Sequence, residues 1–220
     1  MRLNADLSLR VVLRASELPW LPSPTSGVER RMLYREGGEV ARATSLVRYA
    51  PASRFPTHVH GGGEEILVLE GVFSDEHGDW GPGSYLRNPP GSAHAPFSLQ
   101  GCTILLKLWQ FAGGDHAQVF VDSRQAPWEP GFVPGHRILR LHEHGGVRTR
   151  LSRSAPGTRF DEHVHAGGEE ILVLEGSLHD ESGDYPALTW LRLPDGSRHA
   201  PRAGRDGCLL YVKEGHLGAT

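Results

Sequence analysis

The most restrictive feature of this chain is an internal repeat. The segment from Arg54 to Phe97 recurs from Arg159 to Arg202 without insertion or deletion, at an offset of 105 residues in a chain of 220. The string GGEEILVLEG is identical in both copies. Because this period exceeds the roughly 20 to 50 residues of a solenoid repeat, each copy should fold around its own core. The repeat therefore predicts two tandem domains, residues 1–113 and residues 114–220.

Each copy is predicted to be built from short strands and tight turns. Turn signals such as GPG at 81–83 and PPG at 89–91 separate short apolar runs, and the 28 glycines and 16 prolines make up a fifth of the chain. Turns at such close spacing are typical of antiparallel sandwiches and barrels. No long run shows the periodicity of a helix. The predicted fold class is all-β.

Composition excludes several kinds of partner. The formal net charge is −3 with a pI near 6.5, and no block of like charges is present, so neither nucleic acid nor an anionic membrane surface is a predicted partner. No segment approaches the ~20 apolar residues of a membrane span, and the first residues lack the apolar core of a signal peptide. We expect a soluble, cytoplasmic protein. The two cysteines, Cys102 and Cys208, occupy equivalent positions in separate copies, which favours burial over a disulfide.

A pattern of histidine and glutamate carries the chemistry. His58 and His60 are two residues apart, so on a strand their imidazoles project from one face. Glycines then permit a reversal that brings Glu64 beside them, and His94 follows the PPG turn. Three imidazoles and one carboxylate form a site for a divalent transition metal, one per domain. With the same spacing in the second copy, the predicted ligands are His58, His60, Glu64, His94, His163, His165, Glu169 and His199.

These residues fit the two motifs of the cupin family. In the first copy they read His-x-His-x3-Glu-x6-Gly over 58–71 and Gly-x5-Pro-x-Gly-x2-His over 83–94, while Leu188 replaces the opening glycine of the second motif in the second copy. The wider wording, GGEEILVLEGVFSDEHGDW through PPGSAHAP, resembles the cupin domain of ChrR-type anti-sigma factors. This resemblance implies a double-stranded β-helix, the RmlC-like jelly roll, in each half, and hence a bicupin.

The resemblance also implies a first hypothesis for function. In ChrR-type proteins the cupin binds zinc and receives an oxidative-stress signal, while a separate N-terminal zinc-binding domain holds the sigma factor. Few residues precede the first motif here, and no His-x3-Cys-x2-Cys cluster is present, so we do not expect a complete anti-sigma function. The first hypothesis is a metal-binding sensor or small-molecule-binding module. Zinc is favoured because four protein ligands fill its tetrahedral shell, with iron, manganese or nickel as alternatives.

A second hypothesis is a non-haem metal dioxygenase that cleaves a C–C bond in a diketone or hydroxyketone. Four protein ligands on a six-coordinate ion leave two positions for substrate and dioxygen. The sequence identifies no general base, so the choice between binding module and enzyme stays open. If one copy is catalytic, the intact turn motif favours the first.

Four further residues each allow two interpretations. Tyr85 and Arg87, with their equivalents Trp190 and Arg192, lie on the strand leading to the last ligand and could line a pocket or simply pack in the sheet. The expected partner is a small molecule. We also expect the two halves to pack together as a cupin dimer does, and a homo-oligomer is equally compatible with the sequence.

Overall fold

The computed structural model describes residues 1–218, and in this part of the chain the only helical piece is a 3-10 turn, Ala15–Glu17. The prediction of an all-β fold is therefore confirmed. No helix in the described part has the length and apolar character needed to cross a membrane.

The strands are short, as the spacing of turn signals predicted. In the first half of the chain they are β1 (Arg2–Leu3), β2 (Val11–Arg14), β3 (Leu21–Pro22), β4 (Val28–Gly37), β5 (Ala41–Tyr49), β6 (Ser53–Arg54), β7 (His58–Val59), β8 (Glu64–Gly71), β9 (Phe73–Asp75), β10 (Gly78–Trp80), β11 (Ser84–Asn88), β12 (Ala93–His94), β13 (Phe97–Ser98) and β14 (Cys102–Leu108). Strand β15 (Val119–Asp122) follows at the start of the second half. The other strands of the second half are β16 (Glu129–Pro130), β17 (His136–His144), β18 (Val147–Ser154), β19 (His163–His165), β20 (Glu169–Asp180), β21 (Gly183–Pro186), β22 (Thr189–Leu193), β23 (Ser197–His199) and β24 (Arg202–Glu214).

The chain forms two compact units. The first unit contains Met1–Ala5 and Leu18–Gln125, and the second contains Asp6–Glu17 and the residues from Ala126 onward. The large sheet of the first unit has the order β1-β4-β5-β14-β8-β11-β15, with β3 beside β4. A smaller sheet, β10-β9-β13-β6, and the ladder β12-β7 complete this unit. Its buried apolar cluster contains Val28, Val47, Tyr49, Ile66, Val68, Phe73, Leu86, Cys102 and Ile104.

The second unit repeats this architecture. Its large sheet has the order β16-β17-β18-β24-β20-β22-β2, with β21 beside β20, and its ladder is β19-β23. The buried cluster contains Ile171, Val173, Leu178, Tyr185, Leu191, Ala203, Cys208, Leu210 and Val212. Both cysteines are free and buried, one in each cluster. The burial predicted for them is confirmed.

Each large sheet ends in a strand from the other copy of the repeat. Strand β2 opens the first copy but pairs with β22 in the second unit, whereas β15 opens the second copy and pairs with β11 in the first unit. The two pairings are equivalent, since Val11 lies opposite Arg192 and Val119 lies opposite Arg87. The compact units therefore differ from the ranges 1–113 and 114–220 by one exchanged strand on each side.

The turn that departs from the cupin motif keeps its conformation. Gly83 in the first unit has a φ of 85°, and Leu188, which replaces it in the second, has a φ of 61°. Their backbone N–H groups donate to equivalent carbonyls, Val68 at 2.8 Å and Val173 at 2.7 Å. A left-handed conformation costs a residue with a side chain about 1 to 2 kcal/mol. The second unit thus carries a strained leucine without losing the turn.

Candidate metal centres

Short antiparallel ladders bring the histidines of each motif together. In the first unit β7 pairs with β12, which places His58 directly opposite His94. The glycine turn after His60 returns the chain to Glu64, the first residue of β8. Side chains do not fit in this turn, because a Cβ on Gly62 would lie 2.1 Å from the Trp109 ring. In the second unit β19 pairs with β23, so His163 lies opposite His199 in the same way.

The first unit holds a four-ligand group, which we define as His58, His60, Glu64 and His94. One nitrogen or oxygen atom from each lies within 4.8 Å of the others. Glu64 Oε2 is 3.2 Å from Nε2 of both His60 and His94, and the Nε2 atoms of His58 and His60 are 3.3 Å apart. Ligands that each lie about 2.1 Å from a tetrahedral ion would be separated by about 3.4 Å. These side chains fit a transition metal.

The second unit gathers the equivalent residues more loosely. Its three-histidine group, His163, His165 and His199, meets the same 4.8 Å limit, but Glu169 falls outside it and groups instead with His165 and Glu214. Glu169 Oε2 is 3.5 Å from Nε2 of His165 and 4.0 Å from that of His199. Glu169 Oε2 and His165 Nε2 are both buried without a hydrogen-bond partner. Such orphaned atoms are costly in an empty protein interior, and a bound cation would satisfy both.

Two arginines of the second unit form ion pairs with the carboxylates beside the three-histidine group. Glu214 Oε1 is 2.7 Å from a nitrogen of Arg148 and 2.7 Å from Nη1 of Arg150. Arg150 Nη2 lies 3.7 Å from the other oxygen of Glu169. At the equivalent positions of the first unit, β5 and β14 carry Ala43, Ser45 and Leu108. The charged group beside Glu169 is therefore specific to the second unit.

Electrostatics differ between the two groups. Burial acts to raise the pKa of Glu64, but hydrogen bonds from two histidines outweigh it and hold that pKa well below its usual range. Burial acts to lower the pKa of His94, yet Asp75 and Glu64 raise it to about 9. In the second unit burial raises the pKa of Glu169 to about 8 and lowers that of His165 to about 3. His165 is therefore a neutral imidazole, the form that binds a metal.

A buried aspartate fixes the orientation of the last histidine in each group. Asp75 Oδ2 lies 3.2 Å from Nδ1 of His94, and Asp180 Oδ2 lies 3.4 Å from Nδ1 of His199. A carboxylate that accepts a hydrogen bond from Nδ1 orients Nε2 toward the ligand group. It also makes Nε2 a stronger electron-pair donor to a metal ion. In the second unit Asp180 also accepts hydrogen bonds from Arg10, at 2.7 Å, and from the Tyr185 hydroxyl, at 2.6 Å. Arg10 directly precedes the exchanged strand β2.

We expect these aspartates to control metal affinity one unit at a time. Asp180→Asn should weaken metal binding in the second unit by about 10- to 100-fold, the usual effect of losing such a partner. Arg10→Met should also weaken metal binding in the second unit, but by a smaller factor. Asp75→Asn should weaken metal binding in the first unit alone. Chelator competition with elemental analysis measures both sites. Equal losses from both units in any one variant would contradict this assignment.

A cavity opens beside the three-histidine group. Its volume is about 640 Å³, and its lining includes all three histidines, Glu169 and Glu214. Strand β18 contributes Arg148, Arg150 and Ser152, and β17 contributes His136. Ligand pockets commonly have volumes of about 300 to 1,000 Å³. The cavity is thus large enough for a small organic molecule next to the candidate metal centre.

The cavity exists where the second copy replaces apolar core residues with polar ones. Sheet register makes Val28, Val47 and Tyr49 of the first unit equivalent to His136, Ser152 and Ser154 of the second. The first three belong to the buried apolar cluster, in which Tyr49 packs edge-on against Phe73 at 5.9 Å. Sequence reasoning missed His136, Arg150, Ser152 and Glu214. Comparing the two copies position by position would have revealed them.

The four residues considered as pocket lining lie on the opposite sheet face from the ligand group. The Tyr85 hydroxyl donates to Glu65 at 3.0 Å, and Arg87 forms a two-pronged pair with Asp115 at 3.0 and 2.6 Å. Trp190 and Arg192 are fully buried. Neither is among the residues that line the 640 Å³ cavity.

Fold and ligand groups together define a bicupin, with a candidate metal centre in each half. The chain belongs to the ChrR cupin-like domain family, whose sequence model matches residues 8–112 and again residues 116–218. The resemblance stated from the motifs is therefore confirmed. A comparison with curated proteins finds no match.

Solved structures with the same fold cover almost the whole chain. A Nostoc punctiforme protein described as a "putative dioxygenase" has a TM-score of 0.78 at 18% identity, over 97% of this chain and 85% of its own. YlbA of E. coli has a TM-score of 0.74 at 16% identity, over 98% of this chain and 94% of its own. The Escherichia coli pirin YhhW, solved with nickel(II), has a TM-score of 0.68 at 14% identity, over 94% of this chain and 99% of its own. At these identities the likeness shows the fold alone.

Proposed function

We propose that this bicupin is a metal-dependent small-molecule-binding protein whose second unit is the working site. The observation that carries this proposal is the 640 Å³ cavity lined by the three-histidine group. Divalent metal bound there would supply Lewis acidity toward an oxygen atom of the bound molecule. The first unit, with four converging side chains and an apolar interior, would hold its metal in a closed, structural site.

Within the second unit the residues have separable roles. His163, His165 and His199 would hold the ion from one side and leave the cavity side open to a ligand. Glu169 adds a carboxylate that Arg150 keeps near the group. Phe132, Phe160 and aliphatic residues of the core also line the cavity, so its lining combines apolar and charged side chains. A small oxygenated organic molecule matches this combination.

A thiol-based redox sensor has less support. Burial raises the pKa of both Cys102 and Cys208 to about 11, so neither is a reactive thiolate near neutral pH.

The test uses protein loaded with Co(II), whose visible absorption responds to changes in its ligands. We expect 2,3-butanedione or 3-hydroxy-2-butanone to perturb the spectrum with one binding event per chain. His199→Ala should abolish this event, and the matched variant His94→Ala should preserve it. The proposal fails if neither these compounds nor pyruvate bind, or if His94→Ala and His199→Ala have the same effect.

Dioxygenase activity is a second candidate, favoured by the open cavity side of the three-histidine group. Such an enzyme would cleave a C–C bond of a diketone and place both atoms of one dioxygen molecule in the products. Oxygen uptake by Fe(II)-loaded protein, measured across diketones, hydroxyketones and flavonols, tests this activity. Uptake that requires both His199 and a substrate would support an enzyme, and its absence across the panel would favour a binding module.

A further inference from the structure

The inner face of β18 is unusually polar. Arg148, Arg150 and Ser152 alternate along this strand, project into the cavity and replace Ala43, Ser45 and Val47 of the first unit. Polar groups inside a jelly roll cost stability unless they are satisfied, and the first unit shows that the fold does not need them. Their presence beside the three-histidine group therefore points to recognition of a polar ligand.

Hydrogen bonding makes Ser152 a donor toward this ligand. The backbone N–H of Phe132 donates to Nδ1 of His136 at 3.1 Å, so the ring proton lies on Nε2. That nitrogen is 2.7 Å from Ser152 Oγ and donates to it. The hydroxyl hydrogen of Ser152 is then free to point into the cavity. Burial, with the nearby charge of Arg150, also lowers the pKa of His136 to about 4, so the ring stays neutral.

Arginine donors on the same wall favour an anion. Arg148 and Arg150 share one carboxylate, Glu214, and Arg150 Nε is buried without a hydrogen-bond partner. Glu169 is the other acid near Arg150, at 3.7 Å, and its second oxygen faces His165. An arginine with one shared partner retains donors for a further carboxylate.

Building on the proposed function of this cavity, we propose that its ligand is a small organic acid of the 2-oxo or 2-hydroxy type. Its carboxylate would accept hydrogen bonds from Arg150 and Ser152, and its neighbouring carbonyl or hydroxyl oxygen would face the three-histidine group. The spacing supports a short acid. Arg150 Nη2 is 3.7 Å from Glu169 Oε1, and Glu169 Oε2 is 3.5 Å from His165 Nε2, so the arginine and the histidines are close enough for one small molecule to contact both.

The experiment compares two probes that differ at one group. Pyruvate and 2,3-butanedione share an acetyl group next to a second carbonyl carbon, but only pyruvate carries a carboxylate. Titrated into Co(II)-loaded protein, pyruvate should bind at least about tenfold more tightly, the effect expected of a charge-assisted hydrogen bond. Binding of 2,3-butanedione without a preference for pyruvate would overturn this inference and leave the proposed function standing. Binding of neither probe would overturn both.

The first unit supplies the matched variant. Arg150→Ser combined with Glu214→Leu copies its residues Ser45 and Leu108, so Glu214 is not left without its arginine. This variant should retain its metal and lose the preference for pyruvate to within about twofold. Ser152→Val, which copies Val47, should weaken pyruvate binding several-fold without loss of metal. The control Arg153→Ser removes an arginine of the same strand that stacks on Trp128 at 5.0 Å and should keep the preference. A preference that survives in the double variant would overturn the assignment.

Discussion

Replacing Glu64 with alanine should lower the metal affinity of the first unit by at least about 100-fold, whereas Glu169→Ala should have a smaller effect on the second. Loss of a residue that only orients a ligand costs about 10- to 100-fold, so loss of a ligand should cost at least as much. Glu64 lies 3.2 Å from two imidazole nitrogens. Glu169 lies outside the three-histidine group and near Arg150. Elemental analysis after chelator competition measures each site.

Exposed glutamates on the same two strands provide matched controls. Glu70 and Glu175 occupy equivalent positions on β8 and β20, and both are exposed. Glu70→Ala and Glu175→Ala should retain both ions. Equal losses in Glu64→Ala and Glu169→Ala would show that the two centres bind metal alike. Retention of both ions in both variants would contradict the ligand assignment altogether.

The repeat and the cupin motifs were sufficient to predict the fold, and they placed most of the candidate ligand residues in the groups that could hold a metal ion. Both signals are local, because the spacing of His58 and His60 places them on one strand face and the glycine turn limits where Glu64 can lie. The same spacing did not reveal that Glu169 lies apart from its histidines. That difference arises from Arg150 and Glu214, which are distant in sequence and have no counterpart in the first unit.

The departure from the turn motif does not exclude the second copy as the working site. An intact turn motif favoured the first copy, but Leu188 adopts the conformation of Gly83, so the departure leaves the turn unchanged. Our proposal of the second unit rests on its interior instead. Val47 belongs to the apolar cluster of the first unit, whereas its equivalent Ser152 lines the cavity of the second. A motif describes the ligands of a cupin and contains no information about the residues that fill its interior.

The exchanged strands were beyond the reach of sequence reasoning. Strands β2 and β15 are similar apolar segments, and the strands they pair with, β22 and β11, are also alike. Each edge could accept either strand on pattern alone. Which one pairs depends on the path of the chain between the units, and propensity and periodicity do not encode this path.

The exchange predicts a sharp difference between two fragments. Residues 18–125 contain nearly all of the first unit, including β15, and should fold cooperatively and bind one metal ion. Residues 18–113 end at the boundary of the repeat and should be largely unfolded. This shorter fragment lacks the edge strand and also Asp115, the partner of the buried Arg87 guanidinium. Circular dichroism during heating, together with metal analysis, compares the two.

The energies explain why a dozen residues should have this effect. Removing one partner of a buried ion pair costs about 3 to 5 kcal/mol, and loss of the β15 ladder adds to that cost. A typical domain is stable by only about 5 to 15 kcal/mol. Asp115→Asn in the full chain isolates the charge and should lower the melting temperature while β15 stays in place. Equal melting temperatures for the two fragments would mean that β15 contributes nothing to the first unit. The first unit would then end at residue 113, the boundary of the repeat, and the pairing of β15 with β11 would not contribute to its stability.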